Sequence, residues 1–242
     1  MTDPFSPELR RALRQLKLTP ILDTLPERLV LARQQNMPHQ DFLELVLADE
    51  ISRRERLAAE RRARVAHLDP TMVLEAWDES TPVRFDRQLW NELCSLRFLA
   101  DASCVLILGP VGVGKTMLAN CLGHIAVRRQ RSVLMVRTER LLKRLKAARL
   151  EGTYDQELRR LIRVDLLLLD DFGLYPMDMD ATQDFYELVV EPQGSAVKTA
   201  VSRGPIPGCR TPRRLERRAP DPESSAVNRV PRGGGSELQS LA

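Results

Sequence analysis

The sequence predicts an α/β protein: a parallel sheet with flanking helices, preceded by an α-helical N-terminal region. Three observations carry that expectation. Short apolar runs at Cys104–Leu108, Val133–Val136 and Leu166–Leu169 read as buried strands. Helical patterns at 115–129 and 138–150 lie between them, and strands alternating with helices build parallel sheets. A long helical pattern from about Asp41 to His67 precedes the first strand.

Composition sets the outer bounds. A length of 242 residues suits one domain with an extension, or two small domains. A hydrophobic content of 43% is enough for a packed core. No apolar run reaches the ~18 residues that a membrane-spanning helix needs. The start, MTDPFSPELRRALRQLKL, lacks a basic stretch followed by an apolar one, so the expected location is the cytoplasm. Cys94, Cys104, Cys121 and Cys209 form no CxxC pair and no histidines cluster near them, so neither a zinc site nor disulfides are expected. Net charge is +4, and the arginines bunch in a few places.

The elements follow in order. Ser6-Pro7-Glu8 is a helix start: a capping serine, proline in the first turn and an acid near the positive end of the dipole. Leu9, Leu13 and Leu16 continue it at helical spacing, Thr19-Pro20 repeats the start signal, and Pro26 should interrupt the next helix. The long helix has an apolar first half (Phe42, Leu45, Val46, Ile51) and a charged second half, ISRRERLAAERRARVAHL. Its Arg53, Arg54, Arg56, Arg61, Arg62 and Arg64 fit two readings. One is a solvated face with Glu55 and Glu60 as partners; the other is a phosphate-contacting surface. Trp77, Phe85, Trp90, Leu93, Leu96 and Phe98 suit a linker that packs against the next domain. These patterns divide the chain into a helical region at 1–68, a linker at 69–102, a strand-and-helix core at 103–191 and a tail at 192–242.

The segment after the first strand carries the chemistry. GPVGVGKT spans Gly109, Pro110, Val111, Gly112, Val113, Gly114, Lys115 and Thr116 and fits GxxxxGK[ST]. Glycines let successive N–H groups turn inward onto phosphate oxygens. The helix that begins near Lys115 points its positive end at the same anion. Lys115 suits the β- and γ-phosphates of ATP, and the Thr116 hydroxyl suits Mg2+. The flanking strand and helix give the motif the context that a P-loop requires, so the expected core is a P-loop NTPase sheet.

VDLLLLDDFG supplies the second half of such a site. Its leucines make a buried strand ending in Asp170-Asp171, and ligands of open parallel sheets bind beyond the carboxyl ends of strands. Asp170 is therefore expected near Thr116, holding the metal, and Asp171 where a carboxylate orients and deprotonates water. A strand that merely ends in an acidic turn is the plainer alternative.

With those motifs in place, the chain resembles the IstB-like transposition helpers over roughly Leu9 to Glu191. The resemblance rests on FLELVLADEISRRERLAAERR, SLRFL, GPVGVGKTMLA, DLLLLDDFG and DFYELV. It is more distantly similar to DnaC-type helicase loaders. The resemblance implies an AAA+-like ATPase that binds double-stranded DNA with little sequence preference. It also implies an ATP-dependent homo-oligomer that delivers a target site to a partner transposase, with the N-terminal helices assisting assembly and DNA contact. Arg140, Lys143 and Arg144, with Arg137, Lys146 and Arg149, suit the DNA role as well, or else form a solvated face.

The resemblance implies a fourth strand ending in a polar Thr-Ser-Asn sensor, and SAVKTAVSRGP has no asparagine. After Glu191 the tail holds Pro192, Pro205, Pro207, Pro212, Pro220, Pro222 and Pro231, and no aromatic residue. That composition reads as a frameshifted, disordered tail behind an incomplete core. The third strand would then form an exposed edge, and hydrolysis would be impaired while ATP binding survives. The rival readings are a helicase loader and a non-catalytic remnant.

Overall fold

The computed structural model describes residues 5–77, 86–100, 103–109, 112–173, 176–189, 197–202 and 226–230. The chain forms two compact units, Met1–Glu60 and Arg61–Ala242.

The first unit is helical. Helix α1 (Pro7–Gln15) starts at Ser6, whose Oγ accepts the Leu9 N–H at 3.2 Å. Helix α2 (Ile21–Gln34) follows Pro20 without a side-chain cap, and it runs through Pro26 rather than stopping there. Proline at this position forfeits one bond to the Leu22 carbonyl. Ile21 and Leu25 are buried with Val46 of α3 (His39–Val65), and that packing holds the helix together across the defect. Arg28 grips Asp49 with two hydrogen bonds, of 2.6 and 3.1 Å, tying α2 to α3.

The boundary falls eight residues earlier than the sequence suggests, and for a packing reason. Ala63, Ala66 and Leu68 are buried in the core of the second unit, and Arg62 donates to the Val127 carbonyl at 2.9 Å. The expected linker is core as well. Helices α4 (Arg87–Cys94) and α5 (Arg97–Ala100) bury Trp90, Leu93 and Phe98 in the same cluster. Phe85 lies outside the described residues.

The second unit is a sheet between two helical layers. Strands β1 (Cys104–Leu108), β2 (Val133–Arg137) and β3 (Leu166–Phe172) alternate with helices α6 (Lys115–Arg128), α7 (Thr138–Leu150) and α8 (Tyr154–Ile162). Helix α9 (Met179–Val189), strand β4 (Val197–Ser202) and strand β5 (Ala226–Val230) complete it. The four leucines of β3 show why the layers form. Leu166 and Leu168 face α6 and the α4–α5 segment, while Leu167 and Leu169 face α7, α8 and α9. All four have zero exposure, and each buried leucine contributes about 1.5–3 kcal/mol of transfer free energy. Period-2 alternation that is apolar on both sides demands cover on both faces.

The strand order is β2-β3-β4-β1-β5. This corrects the expectation that no strand follows Glu191. β4 runs parallel between β3 and β1, with Leu168 opposite Thr199 and Val105 opposite Thr199 on the other side. Val197, Thr199 and Val201 alternate with smaller or polar residues, a period-2 signal easily lost beside Gly- and Pro-rich sequence. β3 is therefore interior to the sheet, not an edge. β5 pairs antiparallel with β1 from Cys104↔Val230 to Leu108↔Ala226. The expectation of disorder at 203–225 and 231–242 lies outside the described residues.

Candidate functional site

The strand order places the C-terminal ends of β1 and β3 on either side of β4. β1 delivers the Gly-rich loop, and β3 delivers the acidic doublet. Gly112 and Gly114 have φ of +87° and +86°, a region that side chains disfavour. Gly114 caps α6 in that left-handed conformation, and the helix begins at Lys115. Pro110 and Val111 lie outside the described residues.

Lys115 is 5% exposed, and its Nζ donates to the Gly109 carbonyl at 2.8 Å. The ammonium thus lies folded over the loop. The Thr116 Oγ1 donates to Asp170 Oδ1 at 3.1 Å, bringing together residues from two distant motifs. Asp170 Oδ1 also accepts the Asp171 N–H at 3.0 Å, and the Asp170 carbonyl accepts the Thr138 hydroxyl at 2.9 Å. Asp171 adopts φ +57° within β3, where the pairing with β4 shifts register between Leu169 and Phe172. Its carboxylate lies 3.9 Å from Arg137 Nε. A hydroxyl beside a carboxylate at the positive end of a buried helix is a donor set for a hard cation that keeps further oxygen ligands from water or phosphate. Among the described residues no group of three His, Cys, Asp or Glu side chains forms a metal site by itself.

Several supporting residues escaped the sequence reading. Asn120, one turn beyond Thr116, donates to the Thr116 carbonyl at 2.9 Å and accepts the Asp69 N–H at 2.9 Å. His124 Nε2 lies 2.8 Å from the Asp69 carbonyl. These contacts fix the start of α6 to the segment after α3. Their signal was the presence of Asn120 and His124 in an otherwise apolar helix. The Trp77 ring lies against Gly114, 3.5 Å from where a Cβ would stand. Nothing in its spacing from the loop betrays that contact.

The residues expected to meet DNA divide into two groups. Arg53 donates to both Glu50 carboxylate oxygens, at 2.7 and 2.9 Å. Arg54 donates to Glu50 at 2.7 Å and to the Lys17 carbonyl at 2.8 Å. Glu50 is buried, and the Arg53 hydrogen bond, helped by Arg54, holds its carboxyl at about 2 against an ordinary 4.5. With Arg62 bound to Val127, these three guanidiniums are engaged by the protein itself. Arg53 and Arg54 share Glu50, one turn earlier, and of the expected partners Glu55 and Glu60 it is Glu60 that lies near an arginine, 3.9 Å from Arg56 Nε.

The second group is Arg61 and the α7 residues. Arg61 and Arg140 are exposed, Lys143 pairs with Glu139 at 2.6 Å, and Arg144 pairs with Glu157 of α8. Burial pushes the Arg144 guanidinium down, and the nearby Arg160 and Arg140 push it further. Three arginines therefore converge at the α7–α8 face.

Known proteins resemble the chain at both motifs and beyond them. The family described as IstB-like ATP binding protein matches residues 11–201, ten residues past the expected break at Glu191. An ATP-binding protein of an insertion sequence in Mycobacterium tuberculosis is 36% identical over 76% of this chain and 73% of its own length. The corresponding protein of IS1162 in Pseudomonas fluorescens is 33% identical, over 83% of this chain and 89% of its own. The IS21 counterpart in Pseudomonas aeruginosa is 31% identical, over 75% and 69%. Among solved structures, the DnaC helicase loader is similar at 19% identity and a TM-score of 0.41, over 48% of this chain and 66% of that one. The family match covers both halves of the phosphate-loop site and continues into β4, so the chain belongs to the IstB-like ATP-binding proteins of insertion sequences.

Proposed function

We propose that this chain is a DNA-binding ATPase that assists a transposase, assembling as an ATP-dependent homo-oligomer on double-stranded DNA. The observation that carries the ATPase reading is the 3.1 Å bond between Thr116 and Asp170, which joins the phosphate loop to the acidic strand end. In this reading the backbone of Gly109–Thr116 cradles the phosphates, and Lys115 exchanges the Gly109 carbonyl for phosphate oxygens. Thr116 and Asp170 would hold Mg2+, whose chemistry is to neutralise charge on the phosphates. Asp171 orients and deprotonates the attacking water. The insertion-sequence setting of the relatives supports a transposase as partner.

For DNA, the exposed Arg61, Arg140 and Arg160 supply the cationic surface, with Lys143 and Arg144 beside them in pairs with Glu139 and Glu157, and phosphate contacts make such binding sequence-tolerant and salt-sensitive. Arg53, Arg54 and Arg62 serve the protein's own packing.

The test is ATP hydrolysis by the purified chain, with and without duplex DNA, beside Lys115→Ala and Asp171→Ala. The proposal expects turnover that rises with DNA and is lost in both variants. ATP retention without turnover in the parent would mean a nucleotide-binding protein that does not hydrolyse. DNA-independent turnover would remove the DNA half of the reading.

A further inference from the structure

The acidic strand end is held from behind. Between Leu169 and Phe172 the β3–β4 register shifts, and within that irregularity Asp171 takes φ +57°. A residue with a Cβ visits that region sparsely and stays only where its surroundings over-determine it. On the strand side, Asp170 Oδ1 holds the Asp171 N–H at 3.0 Å. On the other side, the next residue, Phe172, stacks on Phe185 of α9, with ring centroids 4.8 Å apart and planes at 28°.

Phe185 is itself fixed by its neighbours in the helix. Asp184, which is buried, accepts both Nε and the terminal nitrogen of Arg149 from α7. Glu187 accepts the Tyr154 hydroxyl of α8 at 2.7 Å. Arg149 in turn lies over the Tyr154 ring, 4.1 Å from its centroid. Helix α9 is thereby locked to α7 and α8 one residue before and two residues after Phe185.

We infer that Phe185 is a positioning residue for the ATPase site: its stack with Phe172 holds Asp171 in the strand irregularity that aims its carboxylate. Phe185 touches no nucleotide; it acts through Phe172 on Asp171. The inference rests on the reading of Asp171 as the water-orienting carboxylate. A carboxylate displaced by an ångström loses turnover without losing ligand, because phosphate binding belongs to the loop on β1.

The experiment uses the full chain with Phe185→Leu, Phe185→Tyr, Asp171→Asn and the double variant Asp171→Asn/Phe185→Leu. Turnover, KM, equilibrium ATP affinity and melting temperature are measured for each. Phe185→Leu should lower kcat on the order of tenfold, with ATP affinity and KM within about twofold of the parent. Phe185→Tyr should restore most of the rate, and Phe185→Leu should cost nothing further once Asp171 is Asn. An unchanged kcat in Phe185→Leu, an equal further loss in the Asp171→Asn background, or a parallel loss of ATP affinity overturns the inference. A parent with no Lys115-dependent turnover overturns the reading of Asp171 instead, and the positioning role falls with it.

Discussion

Glu50→Gln tests whether the arginines of α3 are structural. Glu50 is 4% exposed and takes three hydrogen bonds, two from Arg53 and one from Arg54. Those bonds hold its carboxyl at about 2 instead of 4.5. A depression of that size corresponds to about 3 kcal/mol of folded-state stability. Arg53 and Arg54 are 30% and 53% exposed, so solvent screens part of the attraction and about 1–2 kcal/mol is expected. The depressed pKa fixes the sign. The contribution is full above pH 4.5 and is lost as pH falls from 4.5 toward 2. Hydrogen exchange of the α3 amides around residue 50 reads this locally. At neutral pH the Gln variant should exchange about 5- to 30-fold faster than the parent. Acid should weaken the parent until the two converge. Equal exchange at neutral pH, or a gap that persists below pH 2, would refute the reasoning and return Arg53 and Arg54 to the list of free cations.

Three further predictions concern the sheet unit. Gly114→Ala meets Trp77 only at 3.5 Å, so its cost is backbone strain at φ +86°. That strain is worth about 1–2 kcal/mol, and calorimetry should show ATP binding weakened about 5- to 30-fold; unchanged affinity counts against the loop geometry. Gly123→Ala gains about 1 kcal/mol of helix propensity, but its Cβ would stand 2.6 Å from Leu68 Cδ2 and 3.0 Å from Leu168 Cδ1. Overpacking of that kind costs about 1–3 kcal/mol, so the melting temperature should fall by a few degrees, and a rise would mean that Leu68 yields freely. Arg140→Ala and Arg160→Ala should each weaken duplex binding and shallow the salt dependence by about one phosphate contact; an unaltered salt slope would place the DNA surface elsewhere.

Much of the site was legible because its signals are local. The glycine spacing of the loop, the buried leucines before Asp170 and the Ser6 cap each depend on residues a few positions apart. Strand order is not local. Nothing between Gly109 and Asp170 says that β4 will insert between β1 and β3. That strand was hidden by its own brevity, since VKTAVS is half polar and sits among prolines and glycines. Pairing direction misled the reading of the basic helix. Of the expected acidic partners Glu55 and Glu60, only Glu60 pairs among the described residues, with the exposed Arg56, while Arg53 and Arg54 bond back to Glu50, whose burial makes it the stronger acceptor. Phe185 and Trp77 were visible as aromatic residues but not as parts of the site, because their contacts come from elements that pack only in three dimensions. The family likeness reaches residue 201, so the Arg- and Pro-rich departure belongs after β4 and not before it.

The segment that leaves α3 also guards the sheet. β2 is an outer strand, and its Met135 N–H donates to the Ala66 carbonyl at 2.8 Å. An outer strand with idle backbone donors is a template on which other chains can add. The Ala66 carbonyl occupies one such donor, and Leu68 seals the same region from within. A core trimmed to begin at Asp69 would keep the 109–116 loop, Asp170 and Asp171 and still lose this stopper. Such a fragment should self-associate through β2 as its concentration rises, so a fragment of the sheet unit that stays monomeric has to begin upstream of Ala66.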